Sequence, residues 1–202
     1  MTDDRPLTGP ERFGMAVPIA LALGVGYRLL GVPVRPPVAP WITEVDRAIP
    51  YVPEAVWLYL PGYALCLVLA AWTLNTTRRL RAAALAFAAT LALAAPVFLL
   101  FPVACARPPA THVPGLTGVL LRFIETIDTT YNTFPSLHIA MATLAAWIAS
   151  RTHPRTGLAC WTLAFGVWGS VLSLKQHWLV DVVGGWALAT AGVWVWRRAM
   201  RE

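Results

Sequence analysis

The chain has 202 residues, of which 57% are hydrophobic and 13% charged, and carries a formal charge of +6. A soluble domain has about 25% charged residues, so this composition, with a mean hydropathy of +0.60, excludes an ordinary water-soluble globule and indicates a membrane protein of one domain, residues 1–202. The basic excess does not mark a nucleic-acid binder, because Arg78, Arg79 and Arg81, Arg151 and Arg155, and Arg197, Arg198 and Arg201 form short clusters between apolar runs. That is the pattern of membrane topology, not a stripe along a phosphate backbone.

Residues 1–13 are polar with both signs of charge, and an apolar run follows over 14–31. A secretory leader is basic at its start, so the mixed charge predicts a retained first transmembrane helix. The proline-rich stretch 32–54, with Arg35, Trp41, Glu44, Asp46 and Arg47, reads as an outer loop with a short interfacial piece and no evident chemistry. Further apolar runs cover about 55–74, 82–103, 136–150, 158–174 and 178–196, to cross a hydrocarbon core of about 30 Å. The run at 136–150 is short and borrows residues from the loop before it.

These runs predict an all-α bundle of six transmembrane helices. Alternating sides gather the basic clusters on one face, so both termini are expected in the cytoplasm. The same alternation puts the Arg107 loop and the segments 136–138 and 177–181 together on the outer side. Tryptophans such as Trp57, Trp72, Trp147 and Trp194 stand near helix ends as an interfacial belt, and Gly184 and Gly185 suit close helix packing. The odd count of cysteines (Cys66, Cys105, Cys160), without CxxC spacing, does not build a disulfide framework. Cys66 and Cys160 fall within apolar runs as small core residues.

Chemistry is concentrated at three places. His177 and Asp181 lie four apart at the start of the last helix, so the carboxylate can accept a proton from one imidazole nitrogen and leave the other with a free lone pair. A structural hydrogen bond is the plain alternative, although an intramembrane Asp costs on the order of 3 kcal/mol and calls for a partner. Pro135-Ser136-Leu137-His138 opens the fourth helix, where free N–H groups and the Ser136 hydroxyl suit a phosphate oxygen and His138 suits a proton donor. An ordinary capped helix start fits the same residues. Arg107, in the loop after the third span, can grip two phosphate oxygens, and Lys175 is a weaker candidate for the same work. His112 reads as a solvated loop residue, His153 as remote from the site, and Arg122, Glu125 and Asp128 as the wet face of an interfacial helix.

Taken together, the outer-loop Arg107-Pro108, the Phe134-Pro135-Ser136-Leu137-His138 run and the His177-x-x-x-Asp181 pair resemble the type 2 phosphatidic acid phosphatase superfamily over roughly residues 55–196. The wording from Asn132 to His138 is similar to its inositolphosphotransferase-like branch. The resemblance implies metal-free, cofactor-free phosphoryl transfer through a phosphohistidine. His177 would attack phosphorus, Asp181 would orient it, His138 would protonate the leaving oxygen, and Arg107, Ser136 and Lys175 would hold the phosphate. The sequence departs from the family where Leu100 and Val171 replace cations and where Leu137 replaces a glycine.

The resulting expectation is a multi-pass cell-membrane phosphatase cleaving a lipid phosphate or pyrophosphate at the outer leaflet. A lipid head-group phosphotransferase using an alcohol acceptor is the alternative, and the brevity of the chain favours the phosphatase. A non-catalytic scaffold or transporter is a third class. A metal site suits these residues less, because Arg107 and Lys175 favour an anion. The sequence names neither the lipid, nor the acceptor, nor the oligomeric state.

Overall fold

The computed structural model describes residues 4–201. Residues 1–3 and 202, which the cytoplasmic assignment of the termini also covers, lie outside the described residues. Among the described residues the chain forms eight α-helices and no strand.

Helix α1 (Gly9–Leu30) opens with a reciprocal cap between Thr8 and Glu11. After the short α2 (Glu44–Ala48), the chain enters the apolar segment Pro53–Trp72 through a 3₁₀ turn. It passes a π turn at Leu58–Gly62 before settling into α3 (Tyr63–Trp72). Pro61, which has no N–H to donate, sits inside that π turn and accounts for the local break in helical register. Then follow α4 (Thr77–Leu100), the amphipathic α5 (Gly115–Ile127), α6 (Leu137–Thr152), α7 (Pro154–Ser173) and α8 (Leu179–Ala199).

Five helical segments are long and apolar enough to cross a membrane: α1, Pro53–Trp72, α4, α7 and α8. The sixth expected span, α6, has only 16 residues, about 24 Å of helix against a core of about 30 Å. It forms the centre of the bundle, with ten of its residues buried. Its alanines let the neighbours close in, and at Gly157 of α7 a Cβ would lie 2.3 Å from the Cα of Ser150. Helix α1 is the opposite case and buries no residue.

The two ends of the bundle differ in chemistry. At one end Leu7 N–H donates to the Asn75 carbonyl (2.8 Å), Thr77 N–H donates to that of Arg5 (3.1 Å), and Arg78 donates to the Met200 carbonyl. Thr152 donates to Thr73 (2.7 Å), bringing the α6–α7 turn to the same end. The clusters around Arg78, Arg151 and Arg197 therefore share one end, where Arg151 and Arg197 lie over the Trp147 ring. Arg107, His138 and His177 lie at the other.

Candidate active site

Two glycines bring the separated segments together. A Cβ at Gly184 would stand 2.8 Å from the Phe134 ring and 2.9 Å from Pro135, and one at Gly185 would stand 2.6 Å from the Ser136 carbonyl. Their absence lets the start of α8 lie directly against the start of α6, where Ser136 N–H donates to the Asp181 carbonyl (3.1 Å). The His138 and His177 ring centroids are 5.8 Å apart as a result.

His177 is 3% exposed and stands on the turn between α7 and α8, whose Val171 carbonyl accepts from both Gln176 N–H (2.9 Å) and His177 N–H (3.1 Å). Its Nδ1 lies 2.9 Å from the Thr133 carbonyl and 3.4 Å from Asp181 Oδ2. A carbonyl can only accept, so Nδ1 carries the proton and Nε2 keeps its lone pair. The tautomer expected from the sequence is thus set mainly by Thr133. Asp181 supplies a nearby charge and spends Oδ2 on Trp178 N–H (2.9 Å) at the start of its own helix.

His138 stands in a box of rings, with Tyr59, Tyr63 and Tyr27 centroids at 4.6, 5.2 and 6.5 Å. Tyr59 Oη is 3.5 Å from His138 Nδ1 and donates to Asp128 Oδ2 at 2.7 Å. Tyr27 donates to Asp128 Oδ1 at 2.6 Å, and Arg107 Nη2 donates to Asp128 Oδ2 (3.2 Å) and to the Thr129 carbonyl (2.7 Å). The Arg107 and Asp128 side chains are only 7% and 6% exposed. Asp128 is therefore no part of a wet helix face: α5 ends at Ile127, and the next residue turns its carboxylate inward beneath three donors. Arg122 and Glu125 do stay exposed on α5.

Burial favours the neutral form of Asp128, but Arg107, His138 and the two tyrosine hydroxyls outweigh it and hold the carboxyl down at about 2. Burial likewise opposes the Arg107 charge, and the Asp128 carboxylate more than offsets it, keeping the guanidinium above its usual value.

Ser136 caps α6, its Oγ accepting from Ile139 N–H at 3.4 Å, which leaves the hydroxyl proton uncommitted by that bond. Lys175 does not reach the histidine pair. With a φ of 55°, it sends Nζ to the carbonyls of Asp46 (2.8 Å) and Ile49 (2.5 Å). It shares with Arg107 a cavity of about 410 Å³ at the mouth of this end. Asp46, given no role in the sequence reading, is buried and accepts from Leu179 N–H (2.8 Å), fastening the loop before Pro53 to the start of α8. Burial raises its carboxyl, but bonds from Thr43 and Leu179 prevail and lower it. His112 is exposed in its loop, and His153 caps α7 at the opposite end.

Six of the nine buried side-chain polar atoms that lack a partner among the described residues belong to the segments around the site: Arg107 Nε, Thr129 Oγ1, Asn132 Oδ1, Gln176 Oε1, Trp178 Nε1 and Asp181 Oδ1. Buried polar groups are normally paired, so this concentration sets the region apart from the rest of the bundle. Among the described residues no three histidine, cysteine or acidic side chains gather as a metal-ligand set.

A family model described as the PAP2 superfamily matches residues 27–195. The chain belongs to the PAP2 superfamily. Neither a curated protein nor a solved structure matches it significantly. Members of the PAP2 superfamily are generally phosphatases, and the apolar helices agree with a membrane protein. Within this PAP2 chain the histidine pair, Asp181, Arg107 and Ser136 gather at one end, while Lys175 lines the neighbouring cavity and bonds to the 46–49 loop. Sequence reasoning missed Tyr27, Tyr59, Asp128 and Asp46. Two signals were present: Pro61-Gly62 interrupting an apolar run beside Tyr59, and Thr43-x-x-Asp46 as a reciprocal cap.

Proposed function

We propose that the protein is an integral-membrane phosphatase that hydrolyses a lipid phosphate or pyrophosphate at the outer leaflet. The observation that carries the reading is His177, with Nδ1 committed to a carbonyl and Nε2 left as a lone pair, facing a second histidine within a PAP2 chain. His177 Nε2 attacks phosphorus and forms a P–N bond as the P–O bond to the leaving group breaks. His138, in its protonated form, gives its proton to the departing oxygen. Water then attacks the phosphohistidine, His138 takes a proton from it, and His177 leaves with inorganic phosphate released. Arg107, whose buried Nε lacks a partner, and the free N–H groups opening α6 hold the remaining oxygens as charge builds. Clustering of the arginines at the opposite end of the bundle supports an extracytoplasmic site.

One observation favours a second reading, a head-group phosphotransferase. Leu100 and the buried Val171 stand where the family resemblance calls for cations, and Arg107 is already paired with Asp128. A site this sparing of positive charge suits a singly charged phosphodiester, with an alcohol as acceptor. The test is release of inorganic phosphate from phosphatidic acid and from an isoprenyl pyrophosphate, and head-group transfer from a phosphodiester lipid, by purified wild type and His177→Ala. Release lost in the variant supports the phosphatase. Product formed only when an alcohol is added supports the transferase. Wild type inert with every substrate and acceptor would leave a non-catalytic protein.

A further inference from the structure

A single hydroxyl joins Asp128 to His138. Tyr59, only 2% exposed, donates its proton to Asp128 Oδ2 (2.7 Å), and its oxygen lies 3.5 Å from His138 Nδ1. The direction of the first bond is fixed, because Arg107 and Tyr27 keep the carboxylate ionised and an ionised carboxylate only accepts. A phenol has one proton to give. With that proton spent on Asp128, the Tyr59 oxygen can only accept from the imidazole, so His138 Nδ1 carries a proton and Nε2 is the nitrogen free to exchange one. A separation of 3.5 Å is long for this bond, as bonds to catalytic groups often are before substrate arrives, and a charged ring draws it shorter.

Local structure presents the hydroxyl. Tyr59 lies in the π turn Leu58–Gly62, a device that recurs at functional sites, and its ring stands 4.6 Å from that of His138. Among the described residues Tyr59 is the hydrogen-bonding partner of the His138 ring, whereas Tyr27, Tyr63 and His177 approach it through their own rings.

We infer that Tyr59 is the positioning residue of the proton donor: its hydroxyl, held by Asp128, keeps a proton on His138 Nδ1 and commits Nε2 to the leaving oxygen. The inference rests on the function proposed above. When His138 is protonated on both nitrogens, the Asp128 charge supports the imidazolium through the Tyr59 hydroxyl. The proton given to the departing oxygen is the one on Nε2, and in the second step Nε2 takes a proton back from water. The Nδ1 and phenol protons stay in place throughout. Both histidines are thus held by Nδ1, His177 at the Thr133 carbonyl and His138 at the Tyr59 oxygen, which leaves both Nε2 atoms for the reaction.

Tyr59→Phe keeps the ring and deletes the hydroxyl. The readout is kcat/KM, which covers the steps up to release of the first product, on two substrates with different leaving groups. Dioleoyl phosphatidic acid expels an alkoxide that needs a proton, whereas p-nitrophenyl phosphate expels a phenolate that leaves without one. Tyr59→Phe should lose roughly 10- to 100-fold on phosphatidic acid and no more than about threefold on the aryl ester. Tyr27→Phe removes the other phenol on Asp128 without touching the His138 bond, so its effect on the two substrates should be equal. Equal losses from Tyr59→Phe, no loss on phosphatidic acid, or the same selective loss from Tyr27→Phe overturns the inference while leaving the phosphatase reading standing. Wild type inert on both substrates counts against that reading instead, and 15N NMR of histidine-labelled protein in detergent then decides the inference. At alkaline pH, where the ring is neutral, His138 should carry its proton on Nδ1 in wild type and lose that preference in Tyr59→Phe; its signal among those of the four histidines is assigned by its absence from His138→Gln. A proton on Nε2 in wild type, or the same tautomer in both proteins, overturns it.

Discussion

Asp128→Asn is the substitution whose consequences the structure defines most closely. The carboxylate accepts from Tyr27, Tyr59, Arg107 and the Thr129 N–H, at 2.6 to 3.2 Å. An amide of the same shape keeps one accepting oxygen and turns an N–H toward donors, and Arg107 is left as a buried charge without its counterion. Removing one partner of a buried pair costs about 3–5 kcal/mol, which for a chain of this size lowers Tm by roughly 10 °C. Arg107→Met alone should cost a comparable amount. The double variant should cost well under the sum, because neither charge is then stranded, and the coupling should reach about 2 kcal/mol. The pH dependence has a defined sign. A carboxyl held at about 2 against an ordinary 3.8 contributes stability that is complete above pH 4 and lost as pH falls toward 2, about 2 kcal/mol in all. Thermal unfolding in detergent from pH 7 to pH 2.5 would show it, with wild type losing Tm below pH 4 and Asp128→Asn losing less. Additive single variants, or parallel pH profiles, would refute the central place given to this carboxylate.

Other outcomes follow from the same geometry. His177→Ala should abolish turnover, whereas Asp181→Asn should keep a measurable fraction, down about 100-fold in kcat, because the Thr133 carbonyl still holds Nδ1. Gly185→Ala places a Cβ 2.6 Å from the Ser136 carbonyl, so it should lower Tm by several degrees and reduce turnover by separating the two histidines. Lys175→Gly should melt higher than Lys175→Ala: both lose the Nζ bonds to the 46–49 loop, but only glycine relieves the left-handed backbone at this position, by about 1 kcal/mol.

Helices and site were legible in the sequence to different depths. Of the six apolar runs, length and composition alone mark five as long and apolar enough to cross a membrane, because an outward apolar side needs no partner in the chain and leaves its signature in composition. Helix α6 was legible as apolar but not as central, since an alanine-rich core helix and a lipid-facing one read alike until the neighbours that bury it are known. His138, His177, Asp181 and Arg107 could be found because ionisable residues are conspicuous in an apolar chain. Asp128 was conspicuous too, yet its spacing from Arg122 and Glu125 put it on a solvated face. Only the end of α5 at Ile127 turns it inward, and the register of a helix end is what a periodic pattern defines least. Tyr27 and Tyr59 meet that carboxylate from positions 101 and 69 residues away, a convergence that local pattern does not carry.

The charge inventory of the site bears directly on the choice between water and alcohol as acceptor. Arg107 and Asp128 form a neutral pair, Lys175 spends two of its three donors on carbonyls, and Val171 offers the His177 turn a carbonyl where the resemblance calls for a cation. A phosphate dianion arriving beside Asp181 would meet little net positive charge, and in a buried site such imbalance is costly. A phosphodiester carries one charge fewer and could take Arg107 Nε and the α6 N–H groups without displacing Asp128. For this reason kcat/KM for a diester head group should exceed that for the corresponding monoester. Val171→Arg, which adds a cation beside the His177 turn, should shift the preference toward the monoester. A monoester preferred by wild type would instead mean that Asp128 yields Arg107 to the substrate, and the Asp128→Asn variant would then gain affinity for phosphate rather than lose it.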